Sequence, residues 1–157
     1  MIKDTVNNVH VSAEDVLITP DALSAELPVS DEALAAISDS RQIISDIIHR
    51  RDHRMLVVCG PCSIHDVEAA KEYALKLKEL HESCKDTLFI VMRVYFEKPR
   101  TTTGWKGLIN DPDLNNTFDI EKGLVLARTL LIDILKLKVP CSMEHLDMIL
   151  PQYFCDL

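Results

Sequence analysis

The sequence predicts a mixed α/β chain built around a parallel sheet, on three observations. Short apolar runs alternate with amphipathic helical segments. The runs are continuous rather than alternating, as in strands that are buried on both faces. Each run is followed by residues whose side chains could bind a ligand or take part in a reaction. The chain has 157 residues, 47% of them hydrophobic and 27% charged, which is enough apolar material for a globular core. No uncharged apolar run approaches the roughly 18–20 residues of a membrane span.

The first 54 residues precede this alternating region and are predicted to form two segments. Residues 1–29 are polar and acidic and are expected to be an N-terminal arm, with one short strand over 16–18. Ser30 has the side chain of a helix N-cap, and apolar residues follow it at helical spacing. Residues 30–54 are therefore expected to be a helix and a turn.

Residues 55–157 alternate between strand and helix patterns. The apolar runs predict strands at 55–60, 88–94 and 139–143. Asp66 is placed to cap the helix after the first strand, and a polar loop over about 95–120 leads to a second helix. The carboxyl ends of parallel strands meet at one edge, where α/β sheets bind ligands. The residues that follow the three strands are therefore expected to converge.

The charge distribution indicates a small anionic ligand. The chain carries 17 lysines and arginines against 25 aspartates and glutamates, a net charge of −8. An acidic chain is a poor general binder of nucleic acid or of an anionic membrane. Residues 93–106 nevertheless hold four cations against one acid, with threonines and with glycines that let backbone approach an anion. Such a segment could hold two anionic groups, and no nucleotide-binding glycine motif is present.

The five cysteines are an odd number at irregular spacing, without a visible export signal, which favours reduced thiols and a cytoplasmic location. Cys59-Gly-Pro-Cys62 matches the thioredoxin redox sequence, so a thioredoxin-like thiol-disulfide oxidoreductase is one interpretation. A second interpretation uses Cys62 alone, because a thiolate at the end of a strand can ligate a transition metal.

Three segments carry a resemblance to a known family: VVCGPCSIHD (57–66), IVMRVYFEKPRTTTGWKGLINDP (90–112) and LDMILPQY (146–153). They closely resemble 3-deoxy-D-arabino-heptulosonate-7-phosphate (DAHP) synthases of the bacterial class that aromatic amino acids regulate. The resemblance runs from about residue 14 to residue 157. It implies a transferase that condenses phosphoenolpyruvate with erythrose 4-phosphate, giving DAHP and phosphate, at the start of the shikimate pathway of aromatic amino acid biosynthesis.

The resemblance also implies a (β/α)8 TIM barrel, a divalent metal ion such as Mn, Fe or Co, a homo-oligomer and an aromatic amino acid effector. Residue by residue, it assigns substrate-binding roles to five positions: Arg93 (phosphoenolpyruvate), Lys98 (between the two substrates), and Pro99, Arg100 and Thr101 (sugar phosphate).

Cys62 would ligate the metal. Two residues would be catalytic: Lys98, between the substrates, and Glu144, near the metal and its water. Pro151 and Gln152 would belong to the effector region. Two departures from the family pattern are Cys59, where an apolar residue is usual, and Met143 and His145 on either side of Glu144.

A (β/α)8 barrel takes about 250 residues. Residues 55–157 are therefore expected to be the first part of a barrel, about three βα units, with the remaining metal ligands beyond Leu157 and no activity in the chain alone. The isolated chain is expected to expose apolar helix residues such as Leu124, Leu131 and Leu135, and to associate. A non-catalytic effector-binding or assembly module, formed by the arm and the region near Pro151, is the remaining alternative.

Overall fold

The structure is a computed structural model that describes residues 9–11 and 14–157. Its elements are, in chain order, α1 (Pro20–Glu26), α2 (Asp31–Ile48), β1 (Met55–Cys59), α3 (Val67–Cys84), β2 (Leu88–Arg93), α4 (Ile120–Lys136), β3 (Cys141–Ser142) and α5 (Pro151–Phe154). The three strands form one parallel sheet in the order β1-β2-β3. The predicted α/β class with a parallel sheet is confirmed. No helix in the described ranges is long and apolar enough to cross a membrane.

Side-chain caps fix where the main helices begin. The Ser30 hydroxyl accepts a hydrogen bond from the Ala33 N–H at 3.3 Å, and the Asp66 carboxylate accepts one from the Ala69 N–H at 3.0 Å. Both predicted caps are confirmed. Each side chain satisfies one of the N–H groups that a helix leaves open at its start.

The segment before Ser30 contains a helix that the sequence analysis missed. The Thr19 hydroxyl caps α1, and Pro20 occupies its first turn, where a missing N–H costs nothing. Residues 14–19 form no regular element, so the predicted strand over 16–18 is wrong. Val16 is 96% exposed, so it lacks the burial that a strand residue in a sheet usually has. A helix of seven residues is too short to show a clear periodicity, and only its cap and proline mark it.

The sheet centres on β2, whose residues 89–92 are at most 4% exposed. Its neighbour β3 has two residues, whereas the sequence predicted a strand over 139–143. Two bonds hold β3 to β2: Met92 N–H donates to the Pro140 carbonyl at 2.7 Å, and Val94 N–H donates to the Ser142 carbonyl at 2.9 Å. Pro140 has no N–H of its own, which limits the ladder at that end.

Helices α3 and α4 cover one face of the sheet. On α3 the buried residues are Ala70, Ala74 and Leu77, whereas Tyr73 and Leu80, which helical spacing placed on the same face, are 37% and 52% exposed. On α4 the apolar face is buried almost completely. Leu124, Leu131 and Leu135, which were expected to face water in this chain, are at most 7% exposed, so that expectation is wrong. The helix packs against α2 and α3, which supply the cover.

Arg128 of α4 is fully buried and joins this helix both to the residue after α1 and to the C-terminal segment. Its guanidinium donates to the Leu27 carbonyl at 2.9 Å, to the Tyr153 carbonyl at 2.9 Å, and to both Asp156 carboxylate oxygens at 2.8 and 2.6 Å. The Tyr153 hydroxyl donates to the Ile18 carbonyl at 2.7 Å. Segments far apart in sequence are thus joined by one buried cation.

Exposed apolar residues lie beside both edge strands, which predicts that the isolated chain associates. On β1, Met55 and Val58 are 65% and 51% exposed, and after β3, Met148 and Ile149 are 93% and 65% exposed. Open strand edges with apolar neighbours promote pairing between molecules. We expect size-exclusion chromatography with light scattering to show oligomers, and Met148→Glu with Ile149→Lys to reduce them. A monomer near 17.7 kDa with one sharp thermal transition would contradict this expectation.

Candidate functional site

Three of the predicted site residues come together at the carboxyl ends of β1 and β2. The Lys98 ammonium donates a hydrogen bond to the exposed Cys62 thiol, with Nζ and Sγ 2.8 Å apart. Arg93 Nη2 donates to the Cys62 backbone carbonyl at 3.1 Å. The two stretches that supply these residues are more than thirty positions apart in sequence. The convergence follows from the parallel pairing of β1 with β2.

The loop that carries Cys62 is held tightly against the end of β2. A Cβ atom on Gly60 would lie 2.6 Å from the Arg93 carbonyl oxygen, so only glycine permits this approach. Further along, Ile64 is 2% exposed and its N–H donates to the Tyr95 carbonyl at 2.8 Å. Cys62 lies between these two anchors, which fix the backbone on both sides of the thiol.

The charges around Cys62 favour its thiolate. The hydrogen bond from Lys98 lowers the pKa of the Cys62 thiol, and the charge of Lys98 and those of Arg93 and Arg100 act in the same direction. The guanidinium of Arg93 lies over the Tyr95 ring, 4.1 Å from its centroid, and this contact helps to hold its position. This edge of the sheet therefore combines one nucleophilic or ligating sulfur with fixed cations.

The segment after β2 folds back on itself as a short antiparallel ribbon. Glu97 pairs with Gly107, and Lys98 N–H donates to the Lys106 carbonyl at 2.9 Å. A Cβ on Gly107 would overlap the backbone carbonyl of Phe96, which makes glycine necessary there. The tip of the ribbon carries the three exposed residues Pro99, Arg100 and Thr101. Arg100 Nε donates to the Trp105 carbonyl at 3.4 Å, which folds its side chain across the tip.

Glu97, which the sequence analysis treated only as a counter-charge, links this ribbon to the loop after β3. Its carboxylate accepts a hydrogen bond from the Leu146 N–H at 3.1 Å. Burial raises the pKa of Glu97, and the charges of Asp147 and Glu144 raise it further. Glu144 itself is exposed, and within the described ranges no hydrogen bond or ion pair engages it. The structure thus brings Glu144 to the neighbourhood of Glu97, but not into contact with another predicted site residue.

The two cysteines of the Cys-Gly-Pro-Cys sequence have different surroundings. Cys59 is half-buried and interacts with Tyr73, whereas Cys62 is exposed and contacts Lys98. Helix α3 begins at Val67, so neither thiol lies at a helix N-terminus, where a thioredoxin-like cysteine is activated. The thioredoxin interpretation has no support in this arrangement.

Cys62 suits a metal ion as one ligand of several. Its thiol is exposed, its pKa is lowered, and thiolates prefer transition metals over hard cations such as Mg²⁺. In the part of the chain that the structure describes, no group of three or more histidines, cysteines or acids could hold a metal ion.

The two predicted effector residues have different positions. Pro151 begins α5 and lines a cleft of about 260 Å³ between α2, β3 and α5, which His145 also borders. Gln152 is exposed and is not among the lining residues. Arg41 of α2 spans one end of this region, where its Nη2 donates to the Leu157 carbonyl at 3.3 Å.

A parallel α/β sheet with an exposed thiol and two cations at its ligand edge defines a class of α/β protein whose site suits small anions. Within that class, the chain belongs to the DAHP synthetase I family, whose sequence pattern it matches over residues 26–157. The resemblance seen in the three sequence segments is confirmed.

Individual relatives agree with this assignment. The Tyr-sensitive phospho-2-dehydro-3-deoxyheptonate aldolase of Escherichia coli K12 is 56% identical over the whole chain, which spans 44% of that relative's length. The Phe-sensitive enzyme of the same organism is 55% identical over 141 residues, 90% of this chain and 40% of the relative. A solved structure of the aldolase from Francisella tularensis SCHU S4 superimposes with a TM-score of 0.90 at 51% identity, covering 93% of this chain and 43% of that one.

Proposed function

We propose that this chain supplies the first part of the active site of a DAHP synthase, which condenses phosphoenolpyruvate with erythrose 4-phosphate and releases phosphate. The observation that carries the proposal is the contact of Lys98 with Cys62, beside Arg93. It joins two residues with proposed substrate roles to the residue with the proposed metal role. Because the chain spans 44% of its relative, the remaining part of the site lies outside these 157 residues.

The proposed substrate roles follow from charge and position. Arg93 contacts phosphoenolpyruvate, and its planar guanidinium suits a carboxylate or phosphate. Lys98 lies between the substrates, where its charge offsets the repulsion of two anions. Arg100, Thr101 and the backbone at Pro99 hold the phosphate of erythrose 4-phosphate at the exposed tip of the ribbon. Binding both anions in one cationic site brings the reacting carbons together.

In the proposed site Cys62 is the metal ligand that this chain contributes. A divalent metal held by Cys62 and further ligands would supply Lewis-acid activation of the aldehyde of erythrose 4-phosphate. The hydrogen bond from Lys98 lowers the pKa of Cys62, which favours the thiolate form that ligates a metal. Glu144 acts from the end of β3 as a catalytic residue that orients a water.

The proposed architecture is the first part of a (β/α)8 barrel over residues 55–157, preceded by the segments 1–29 and 30–54. The consecutive order of β1, β2 and β3, with α3 and α4 as crossovers, supports it. The five cysteines are free thiols, which suits the reducing cytoplasm. We further propose an aromatic amino acid effector that binds near Pro151 and Gln152, because relatives are named Tyr-sensitive and Phe-sensitive. A homo-oligomer is also proposed, because exposed apolar residues on the edge strand β1 could pack against a second copy.

The test uses a chimaera in which residues 1–157 replace the matching part of the E. coli Tyr-sensitive relative. We expect the chimaera to form DAHP from the two substrates and the 157-residue chain alone to form none. Lys98→Ala and Arg100→Ala should each lower kcat/KM by roughly 30- to 150-fold, about 2–3 kcal/mol, because each removes a charge-assisted contact.

Lys106→Ala is the matched control, because Lys106 is an exposed cation of the same ribbon without a proposed role. We expect it to change kcat/KM less than about threefold. A loss below tenfold for Lys98→Ala or Arg100→Ala would remove that residue from the site. Turnover by the 157-residue chain alone would contradict the proposal that the site is shared with further residues.

A further inference from the structure

In the described residues, two buried polar atoms without a partner belong to residues on adjacent strands at the ligand edge of the sheet. In the described ranges, three buried side-chain nitrogen or oxygen atoms make no hydrogen bond: His81 Nδ1, Arg93 Nε and Ser142 Oγ. The last two belong to residues that are paired in register across β2 and β3. An unpartnered polar atom in a protein interior costs free energy, so two neighbouring ones call for a ligand that satisfies both.

The geometry fixes where this ligand would lie. Paired residues on adjacent strands project from the same face of the sheet, and successive residues project from opposite faces. Met92, Cys141 and Met143 pack against the helix-covered core, so Arg93 and Ser142 project from the other face. The Arg93 guanidinium is already oriented by its bond to the Cys62 carbonyl and by the Tyr95 ring, which leaves Nε as a directed donor.

We infer that Ser142 is a substrate-binding residue, whose hydroxyl donates together with Arg93 Nε to one oxyanion of phosphoenolpyruvate. Both atoms can donate at the same time, and a carboxylate or phosphate accepts from two neighbouring donors. The inference rests on the proposed function, because that function brings phosphoenolpyruvate to Arg93. It adds a residue from β3 that no sequence motif marked. Its hydroxyl is left without a partner until the substrate arrives.

The test measures binding and stability in the same chimaera. Ser142→Ala should weaken binding of phosphoenolpyruvate by roughly 10- to 100-fold in calorimetric titration, since one charge-assisted hydrogen bond is lost. Ser142→Thr keeps the hydroxyl and should restore most of the affinity. Ser83→Ala is the matched control: that hydroxyl is exposed on α3 and donates to the Leu80 carbonyl, so affinity should not change.

A thermal melt separates this role from a merely structural one. Because the Ser142 hydroxyl has no partner among the described residues, Ser142→Ala should leave Tm unchanged or raise it, whereas a structural serine would lower it. Titrations with pyruvate and with inorganic phosphate show which oxyanion Ser142 binds. If Ser142→Ala weakens the binding of pyruvate, the group is the carboxylate; if it weakens the binding of inorganic phosphate, the group is the phosphate. If neither depends on it and phosphoenolpyruvate binds Ser142→Ala normally, the inference is overturned.

The outcomes also distinguish the two proposals. If the unmodified chimaera binds phosphoenolpyruvate more tightly than its Ser142→Ala variant but forms no DAHP, the proposed function fails and the binding inference stands. If it forms DAHP with unchanged KM for phosphoenolpyruvate in Ser142→Ala, the inference fails and the function stands. If it neither binds nor reacts, both are contradicted.

Discussion

Cys62→Ser is expected to lower the metal-supported turnover of the chimaera by more than about 100-fold. A serine hydroxyl stays protonated and is a harder donor than a thiolate, so it replaces the proposed ligand poorly. Even supporting partners of metal ligands cost about 10- to 100-fold when they are removed, and a direct ligand should cost more. The measurement is the initial rate of DAHP formation with Mn²⁺ in excess, together with the metal content of the purified protein. Both should fall in the same variant.

Cys59→Val provides the matched control in the neighbouring thiol. Cys59 is half-buried and packs against the core, and valine is similar in size. We expect this variant to retain activity and metal within about twofold. Equal losses in both variants would favour a role for the cysteine pair. Insulin reduction by the unmodified chain would revive the redox interpretation.

The parts of the fold that the sequence predicted are those encoded locally. Ser30 and Asp66 were recognisable as caps because their side chains bond within three residues. The strands β1 and β2 were recognisable because a continuous apolar run has few other structures open to it. The third strand was predicted too long. Pro140 lacks an N–H, and the sequence does not show which backbone groups of this segment face β2. Helix α1 was missed because seven residues show no clear periodicity, and its bond to Arg128, through the Leu27 carbonyl, spans 101 positions that no local pattern encodes.

The candidate site divides in the same way. Parallel pairing predicts that residues after β1 and β2 meet, and the contact between Lys98 and Cys62 is of this kind. The bond from Leu146 to Glu97 depends on how two loops settle against each other, 49 residues apart, and no local pattern encodes it. Ser142 was invisible for a different reason. A serine in a strand is ordinary, and only the absence of a partner in its buried surroundings distinguishes it.

Arg128→Ala is expected to destabilise the packing of α1 and α5 on α4 by about 3 kcal/mol. This value is the lower end of the range for breaking a buried ion pair, and we use it because Asp156 is partly exposed. The variant leaves the Leu27 and Tyr153 carbonyls without their donor. Hydrogen exchange of amide protons in α1 and α5 measures the effect, since it reports local opening and needs no single cooperative transition. The expected result is faster exchange in both helices, with β2 changed less.

The matched control is Lys122→Ala, on the same helix. Lys122 bonds Asp113 at 2.7 Å, but both side chains are at least 40% exposed, so its loss should cost under about 1 kcal/mol.

The effect of Arg128 also depends on pH. Arg128 lowers the pKa of Asp156 in the folded chain, so the stability from this pair is complete above about pH 4 and is lost as the pH falls through the lowered pKa. Arg128→Ala should remove this acid dependence. Equal rates of amide hydrogen exchange in α1 and α5 with and without Arg128 would contradict its role as the buried link between these helices.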